Sequence, residues 1–251
     1  MKHPFSLQGK VAVLTGASKG IGEAMAIAMA QAGARVVVSS RKQDAVEAVA
    51  EGIRKSGGEA IAAACHVGKA EQRRALVDAA LEAFGRIDVL VNNAATNPVF
   101  GPSLAVDEAA FDKIMEINVK APFELAKLCH PHLAESKGSV LNISSIGGVS
   151  PEPGLGLYSV SKAALVSLTK VLAKEWGPDV RVNALCPGLV RTKFSEALWA
   201  DEEIAKMAVG SQPIPRVAEP DEIAGMAVFL ASDAASYVTG GVYLVDGGHT
   251  I

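Results

Sequence analysis

The sequence predicts a doubly wound α/β fold: a mostly parallel, seven-stranded sheet with helices on both faces. Three observations lead there. Short runs of Val, Ile, Leu and Ala alternate with alanine-rich helical stretches along the whole chain, the rhythm of βαβ units. The strand candidates are continuously apolar, as parallel strands covered on both faces must be. No linker, low-complexity tract or repeat interrupts the rhythm, so residues 1–251 read as one domain with right-handed crossovers.

The elements follow in order. Val11-Ala12-Val13-Leu14 gives the first strand, and a glycine turn leads from it into a helix over 22–32. A strand at 35–39 precedes a helix at 43–55, and the alanine run at 60–64 forms the third strand before a helix at 69–84. The fourth strand is read at 87–91, then a long helix at 119–135, a fifth strand at 139–143 and a helix at 158–176. Strands at 180–185 and 242–245 complete the sheet. Segments 96–103 and 150–156 are rich in Pro and Gly, while 190–217 breaks the β-α alternation. All three fall beyond the carboxyl ends of strands, where ligands of open α/β sheets sit.

Composition narrows the function. Of 251 residues 49% are hydrophobic and 20% charged, and 24 basic residues face 27 acidic ones for a net charge of −3. A chain of this size buries roughly 70 to 75% of its unfolded surface, which makes disulfides and structural metals unnecessary. The charge balance lacks the basic excess that nucleic-acid binding requires. Cys65, Cys129 and Cys186 are odd in number and widely spaced, which fits a reducing, cytoplasmic setting. No apolar run approaches the ~18 residues of a membrane span, and the start Met1-Lys2-His3-Pro4-Phe5 carries no secretory pattern.

The first strand ends in Thr15-Gly16-Ala17-Ser18-Lys19-Gly20-Ile21-Gly22, a dinucleotide-binding turn by position and by sequence. Gly16 permits the tight turn, Gly20 lets backbone approach a pyrophosphate, and Gly22 lets the helix pack close to the strand. The phosphates would meet free N–H groups at the positive end of the helix dipole. The same stretch matches G-x-S-x-G, a hydrolase nucleophile elbow with Ser18 as nucleophile and Asp246 and His249 as partners. That reading needs an oxyanion loop after an earlier strand, and too little chain precedes Ser18. A structural turn without a ligand is the remaining alternative.

Tyr158 and Lys162 stand four apart at the start of an alanine-rich helix and so share a face. Ser145 lies thirteen residues earlier, just past the fifth strand. Alone, Tyr and Lys at this spacing would read as a solvated face; downstream of a dinucleotide turn they read as chemistry. Hydride transfer to a carbonyl must be matched by a proton at oxygen, and a phenol with pKa near 10 is a sluggish partner. Lowering it by about three units takes roughly 4 kcal/mol, which an ammonium ~4 Å away at an effective dielectric of ~20 supplies. Ser145 would hold the substrate oxygen against Tyr158.

Over its whole length the chain resembles the short-chain dehydrogenase/reductases, members of the Rossmann-type folds. The matching blocks are the 15–22 turn, Asn92-Asn93-Ala94, Asn118, Asn142-Ile143-Ser144-Ser145, Tyr158-Ser159-Val160-Ser161-Lys162 and Pro187-Gly188-Leu189-Val190-Arg191-Thr192. The resemblance implies Tyr158 as catalytic acid/base and Lys162 as ribose ligand and pKa-lowering cation. It implies Ser145 as the carbonyl-positioning group and Asn118 as holder of a water leading to solvent. Pro187, Gly188, Val190 and Thr192 would contact the nicotinamide, with Asn93 and Ala94 along a cofactor ribose. A closer resemblance is to the NADP-dependent carbonyl and retinal reductases of animal peroxisomes, through Ser39-Ser40-Arg41-Lys42-Gln43, 65–71 and Phe194-Ser195 with Leu198-Trp199. The ending His249-Thr250-Ile251 is not peroxisomal, so a bacterial cytoplasm is expected.

Two positions depart from the family. His66-Val67 stands where most members have Asp-Val, whose carboxylate accepts from the adenine amino group; a neutral imidazole can also accept one such bond. Ala95 stands where Gly is usual, which would strain the chain only at positive φ.

The residue types also choose the cofactor. An NAD site places a carboxylate at the end of the second strand, whereas here stand Ser39-Ser40-Arg41, with Lys19 projecting from the glycine turn. Ser40, Arg41 and Lys19 would bind a 2′-phosphate, giving NADP. Two solvated surface cations are the plain alternative.

Cys186 reads as a small apolar residue near the cofactor, and His130 and His132 around Pro131 as a loop pair without a third metal ligand. Phe194, Leu198, Trp199, Ile204 and Met207 form a core helix on spacing alone, but after a cofactor block they read as a substrate lid at about 190–217. With Pro98, Phe100, Pro151 and Leu155 they suit a bulky or aromatic carbonyl. The expectation is therefore a homotetrameric NADPH-dependent carbonyl reductase, pairing through 119–135 and 158–176 and running reversibly as an alcohol dehydrogenase. A 3-oxoacyl-carrier-protein reductase and a non-catalytic NADP-binding regulator are the alternatives.

Overall fold

The computed structural model describes residues 3–251. Its strands are β1 Val11–Leu14, β2 Arg35–Ser40, β3 Glu59–Ala64, β4 Val89–Asn92, β5 Ser139–Ile143, β6 Arg181–Pro187 and β7 Val242–Val245. The helices are α1 Gly20–Gln31, α2 Gln43–Lys55, α3 Ala70–Phe84, α4 Glu108–Met115, α5 Ala121–Ser136, α6 Gly156–Trp176, α7 Glu202–Val209 and α8 Asp221–Ala231. The strands form one sheet in the order β3-β2-β1-β4-β5-β6-β7. Every pairing is parallel, so the expected fold stands and is parallel throughout.

Strand periodicity explains why both faces are covered. Alternate residues Ala12 and Leu14 of β1, Val36 and Val38 of β2, and Val89 and Val91 of β4 enter one core with Met25 and Met29 of α1, Ile53 of α2 and Leu230 of α8. The intervening Val13, Val37 and Leu90 enter a second core with Leu76 of α3, Leu125 and Cys129 of α5, and Leu172 of α6. A strand with two apolar faces can only lie between two such layers.

The chain reverses its winding between β1 and β4, which pair directly. The crevice at such a reversal opens beyond the strands' carboxyl ends. There the turn after β1 and the turn after β4 are stitched together: Asn93 N–H and Ala94 N–H both donate to Thr15 Oγ1, at 3.1 and 3.2 Å.

Several boundaries differ from the sequence pattern. α1 starts two residues earlier, at Gly20. The helix expected from 119 is instead the continuation of α4, joined to α5 through a π-helical turn at Glu116–Lys120. His130, Pro131 and His132 lie inside α5, not in a loop. A proline interior to a helix forfeits one N–H bond, and here the flanking residues Cys129 and Leu133 are fully buried and hold the helix in place. His130 packs edge-on against Trp176 with ring centroids 4.6 Å apart.

Candidate active site

The glycine turn has the shape its sequence suggests. Gly16 and Gly20 adopt φ of +63° and +60°, which side-chain-bearing residues seldom hold. A Cβ at Gly22 would lie 2.4 Å from the Gly16 carbonyl, so α1 can approach β1 only without one. Asn93 Nδ2 braces the turn by donating to the carbonyls of Thr15 and Gly16 at 3.0 and 2.9 Å. Its Nδ2 is thus committed to the turn itself. The N-cap position Lys19 offers no side-chain bond to α1, so the helix's first N–H groups face outward. A cradle closed to any Cβ and lined by free N–H groups fits a dinucleotide pyrophosphate.

Around this turn the predicted residues converge from separate elements. Thr192 stands over it, with its methyl 3.0 Å from where a Gly20 Cβ would be. Gly188 lets the block after β6 lie against Asp246, 2.8 Å from the Cβ it lacks, and Gly188 N–H donates to the Val245 carbonyl. Pro187 and Val190 are buried, as is Val67. On the other side Ser40 ends β2 half-buried, and Lys19, Arg41 and Lys42 are exposed. None of these three cations has a carboxylate partner among the described residues. Ser18 and Ile21 are half-buried on the turn.

The Ser, Tyr and Lys set assembles at the mouth of β5. Tyr158 and Lys162 are 8% and 2% exposed, which removes any reading of a solvated face. Lys162 Nζ donates to the Ile143 carbonyl at 2.7 Å and lies 5.5 Å from the centre of the Tyr158 ring. The Ser145 hydroxyl accepts from Gly147 N–H at 3.1 Å. Ser144 Oγ donates to the Lys162 carbonyl at 2.9 Å, clamping α6 to the end of β5. At Gly148 a Cβ would come within 2.7 Å of Lys162 carbonyl carbon, so the turn after Ser145 sits directly on α6. This clamp was not evident from spacing, because a serine next to the expected one carries no pattern of its own.

Asn118 lies on the π-helical turn, buried. Its Oδ1 accepts from Thr96 N–H at 2.8 Å, while Nδ2 donates to the Thr96 carbonyl and to Ser161 Oγ at 2.9 and 3.0 Å. Ser161 Oγ in turn donates to the Tyr158 carbonyl. Asn118 therefore ties the loop after β4 to the first turns of α6. π-turns often mark functional positions.

The electrostatics differ from the simple two-charge argument. Burial pushes the Tyr158 phenol above its ordinary value, with the facing Ser145 side chain pulling the other way. Burial likewise holds the Lys162 amine down, to about 8. Desolvation is the larger influence on the amine, with only the Cys186 side chain opposing it. The Cys186 thiol is also raised by burial, partly offset by Ser144 and the Ser145 backbone. Ala95 carries no backbone strain, since Lys137 is the only described non-glycine residue with positive φ.

The segment after Val190 contributes Phe194, whose ring centre is 5.7 Å from that of Tyr158. Trp199 Nε1 donates to the Thr192 carbonyl at 3.0 Å, and Arg191 lies over its indole. Met207 of α7 is 76% exposed, so the apolar stripe is not a core helix.

Fold and site together define a nicotinamide-dinucleotide oxidoreductase of the doubly wound type. A family model described as enoyl-(acyl carrier protein) reductase matches residues 16–250. Human dehydrogenase/reductase SDR family member 4 is 46% identical over 244 residues, covering 96% of this chain and 88% of the relative. A solved 7α-hydroxysteroid dehydrogenase, complexed with NADH and 7-oxo glycochenodeoxycholic acid, superimposes with a TM-score of 0.93 at 36% identity, covering 98% of this chain and 96% of that one. A gluconate 5-dehydrogenase from Burkholderia cenocepacia, in complex with NADP and tartrate, gives a TM-score of 0.93 at 32% identity over 98% and 97% of the two chains. The chain belongs to the short-chain dehydrogenase/reductase family.

Proposed function

We propose that the protein is a cytoplasmic NADPH-dependent reductase of bulky, apolar ketones or aldehydes, working reversibly as an alcohol dehydrogenase. The observation that carries the reading is the buried pairing of Tyr158 with Lys162 beside Ser145, at the crevice where β1 and β4 meet. When bound, the dinucleotide supplies hydride to a carbonyl carbon and takes it back from an alcohol.

The chain's own residues do the rest. Gly16, Gly20 and Gly22 open the α1 N-terminus to the pyrophosphate. Ser40, Arg41 and Lys19 hold a 2′-phosphate, a reading supported by their lack of partners and by the absence of a carboxylate at the end of β2. Ser145 holds the carbonyl oxygen by a hydrogen bond and orients it toward Tyr158. Tyr158 gives its phenolic proton to that oxygen in reduction and takes it back in oxidation. Lys162 stands behind the phenol as the cation that favours phenolate, and Asn118 holds the α6 end of the proton route. Pro187, Gly188, Val190 and Thr192 border the nicotinamide end. Residues 190–217 act as a lid within a single Rossmann-type domain, with Phe194 excluding water from above Tyr158.

Assembly as a homotetramer through α5 and α6 is supported by an open groove of about 710 Å³ in which the apolar Met115, Val119, Phe123 and Leu168 are flanked by the charged Asp112, Lys113, Glu116 and Lys120. Exposed Val160 and Val171 continue the apolar surface along α6.

The test is Tyr158→Phe assayed with bulky ketones and NADPH. Turnover should fall at least ~100-fold, the scale of general acid catalysis, while NADPH binding by fluorescence titration stays nearly unchanged. Retained turnover would overturn the mechanism; turnover confined to short, charged substrates would overturn the substrate class.

A further inference from the structure

We infer that His66 recognises the adenine ring as a hydrogen-bond donor, through Nε2–H to a ring nitrogen, so that the 6-amino group is not what this chain reads. The inference rests on the dinucleotide reading above. In a sheet wound this way the adenosine half crosses the ends of β1, β2 and β3. His66 lies there: it follows β3 by one residue after Cys65, whose N–H donates to the Ser40 carbonyl at 2.8 Å, next to Arg41.

Three of the four polar atoms of His66 are committed locally. Its N–H donates to Gln72 Oε1 at 2.7 Å, and its carbonyl accepts from Lys69 N–H at 2.8 Å. Its Nδ1 accepts from Gly68 N–H at 3.2 Å. The flipped ring would leave that N–H facing a carbon, so the bond also fixes the ring's orientation. Gly68 is shaped to this seat, because a Cβ there would lie 3.1 Å from His66 Cε1 and 2.9 Å from Ile117 Cδ1.

The chemistry follows from the accepting nitrogen. A neutral imidazole carries one N–H, and a ring whose Nδ1 accepts must carry it on Nε2. Nε2 can then donate and cannot accept. The adenine edge offers acceptors at its ring nitrogens and donors only at the amino group, so Nε2–H pairs with a ring nitrogen. A carboxylate in the same place would do the opposite and require the amino group. The expectation that the imidazole accepts from that amino group is thereby replaced.

The experiment compares NADPH with the analogue whose 6-amino group is replaced by hydrogen, by tryptophan-fluorescence titration of the full chain and its His66→Asp variant. Removing the amino group should change the parent's affinity by less than about 2-fold. In His66→Asp it should cost about 10-fold or more, the range of a hydrogen bond to a charged acceptor. Independently, long-range ¹⁵N–¹H spectra should show the His66 proton on Nε2 in the free protein. A loss of 10-fold or more in the parent, or a proton on Nδ1, would overturn the inference while leaving the dinucleotide reading intact. Failure to bind either dinucleotide would overturn both together.

Discussion

Replacing Lys162 by Met removes a buried charge whose cost follows from its surroundings. The amine is 2% exposed, and burial lowers its pKa from 10.5 to about 8. At about 1.4 kcal/mol per unit, holding it charged at pH 7 costs the fold about 3 kcal/mol. Its bond to the Ile143 carbonyl at 2.7 Å contributes about 1 kcal/mol that Met cannot replace. Lys162→Met should therefore be inactive yet about 2 kcal/mol more stable at pH 7 in the cofactor-free protein. The sign with pH is set by proton uptake. Between about 8 and 10.5 the unfolded chain binds the proton that the folded site has released, so parent stability rises with pH through that window. The stability difference should move by roughly 2.5 kcal/mol in the parent's favour from pH 7 to 10, enough to cancel the variant's advantage. Urea unfolding of both proteins at one protein concentration and at each pH gives this difference directly, because other groups titrate alike in the two chains. A pH-independent difference, or a less stable variant at pH 7, would refute the electrostatic account.

Arg41→Asp should reverse much of an NADPH preference of roughly 10² to 10⁴, the worth of two charge-assisted bonds; kcat/KM with each cofactor in parent and variant measures it, and equal use by the parent would refute the assignment. Gly22→Ala should cost about 1 to 3 kcal/mol and abolish dinucleotide binding, since its methyl would sit 2.4 Å from the Gly16 carbonyl; thermal melts and fluorescence titration report both. Phe123→Glu, placing charge in the groove between α4, α5 and α6, should reduce a tetrameric mass in light scattering to a smaller species. A monomeric parent would remove the assembly reading.

The fold was legible because its signals are local and repeated. Continuous apolar strands such as Val36-Val37-Val38 announce burial on both faces, and the two cores take alternate residues of each. Ends were less legible. The helix over Ala121–Ser136 runs through Pro131 because buried neighbours on either side outweigh one missing hydrogen bond, and that balance is tertiary. α4 and α8 escaped the strand-helix count since neither follows a strand directly.

Within the candidate site, the residue types that carry a charge or a turn were readable and their partners were not. Gly16, Tyr158 and Lys162 stand out by spacing, whereas Ser144, Ser161 and Thr96 matter only because the fold brings them against α6 and Asn118. The same distinction governs the electrostatics. Sequence spacing puts an ammonium near a phenol and suggests that the cation lowers the phenol's pKa. The fold then buries the pair, raising one group and lowering the other, so at pH 7 in the free protein the phenol is neutral and the amine keeps its charge at a cost. The charge on Lys162 remains as stored destabilisation, of the kind that trades stability against activity. This is why the stability gain from Lys162→Met and the loss of turnover from the same change are two readings of one cause.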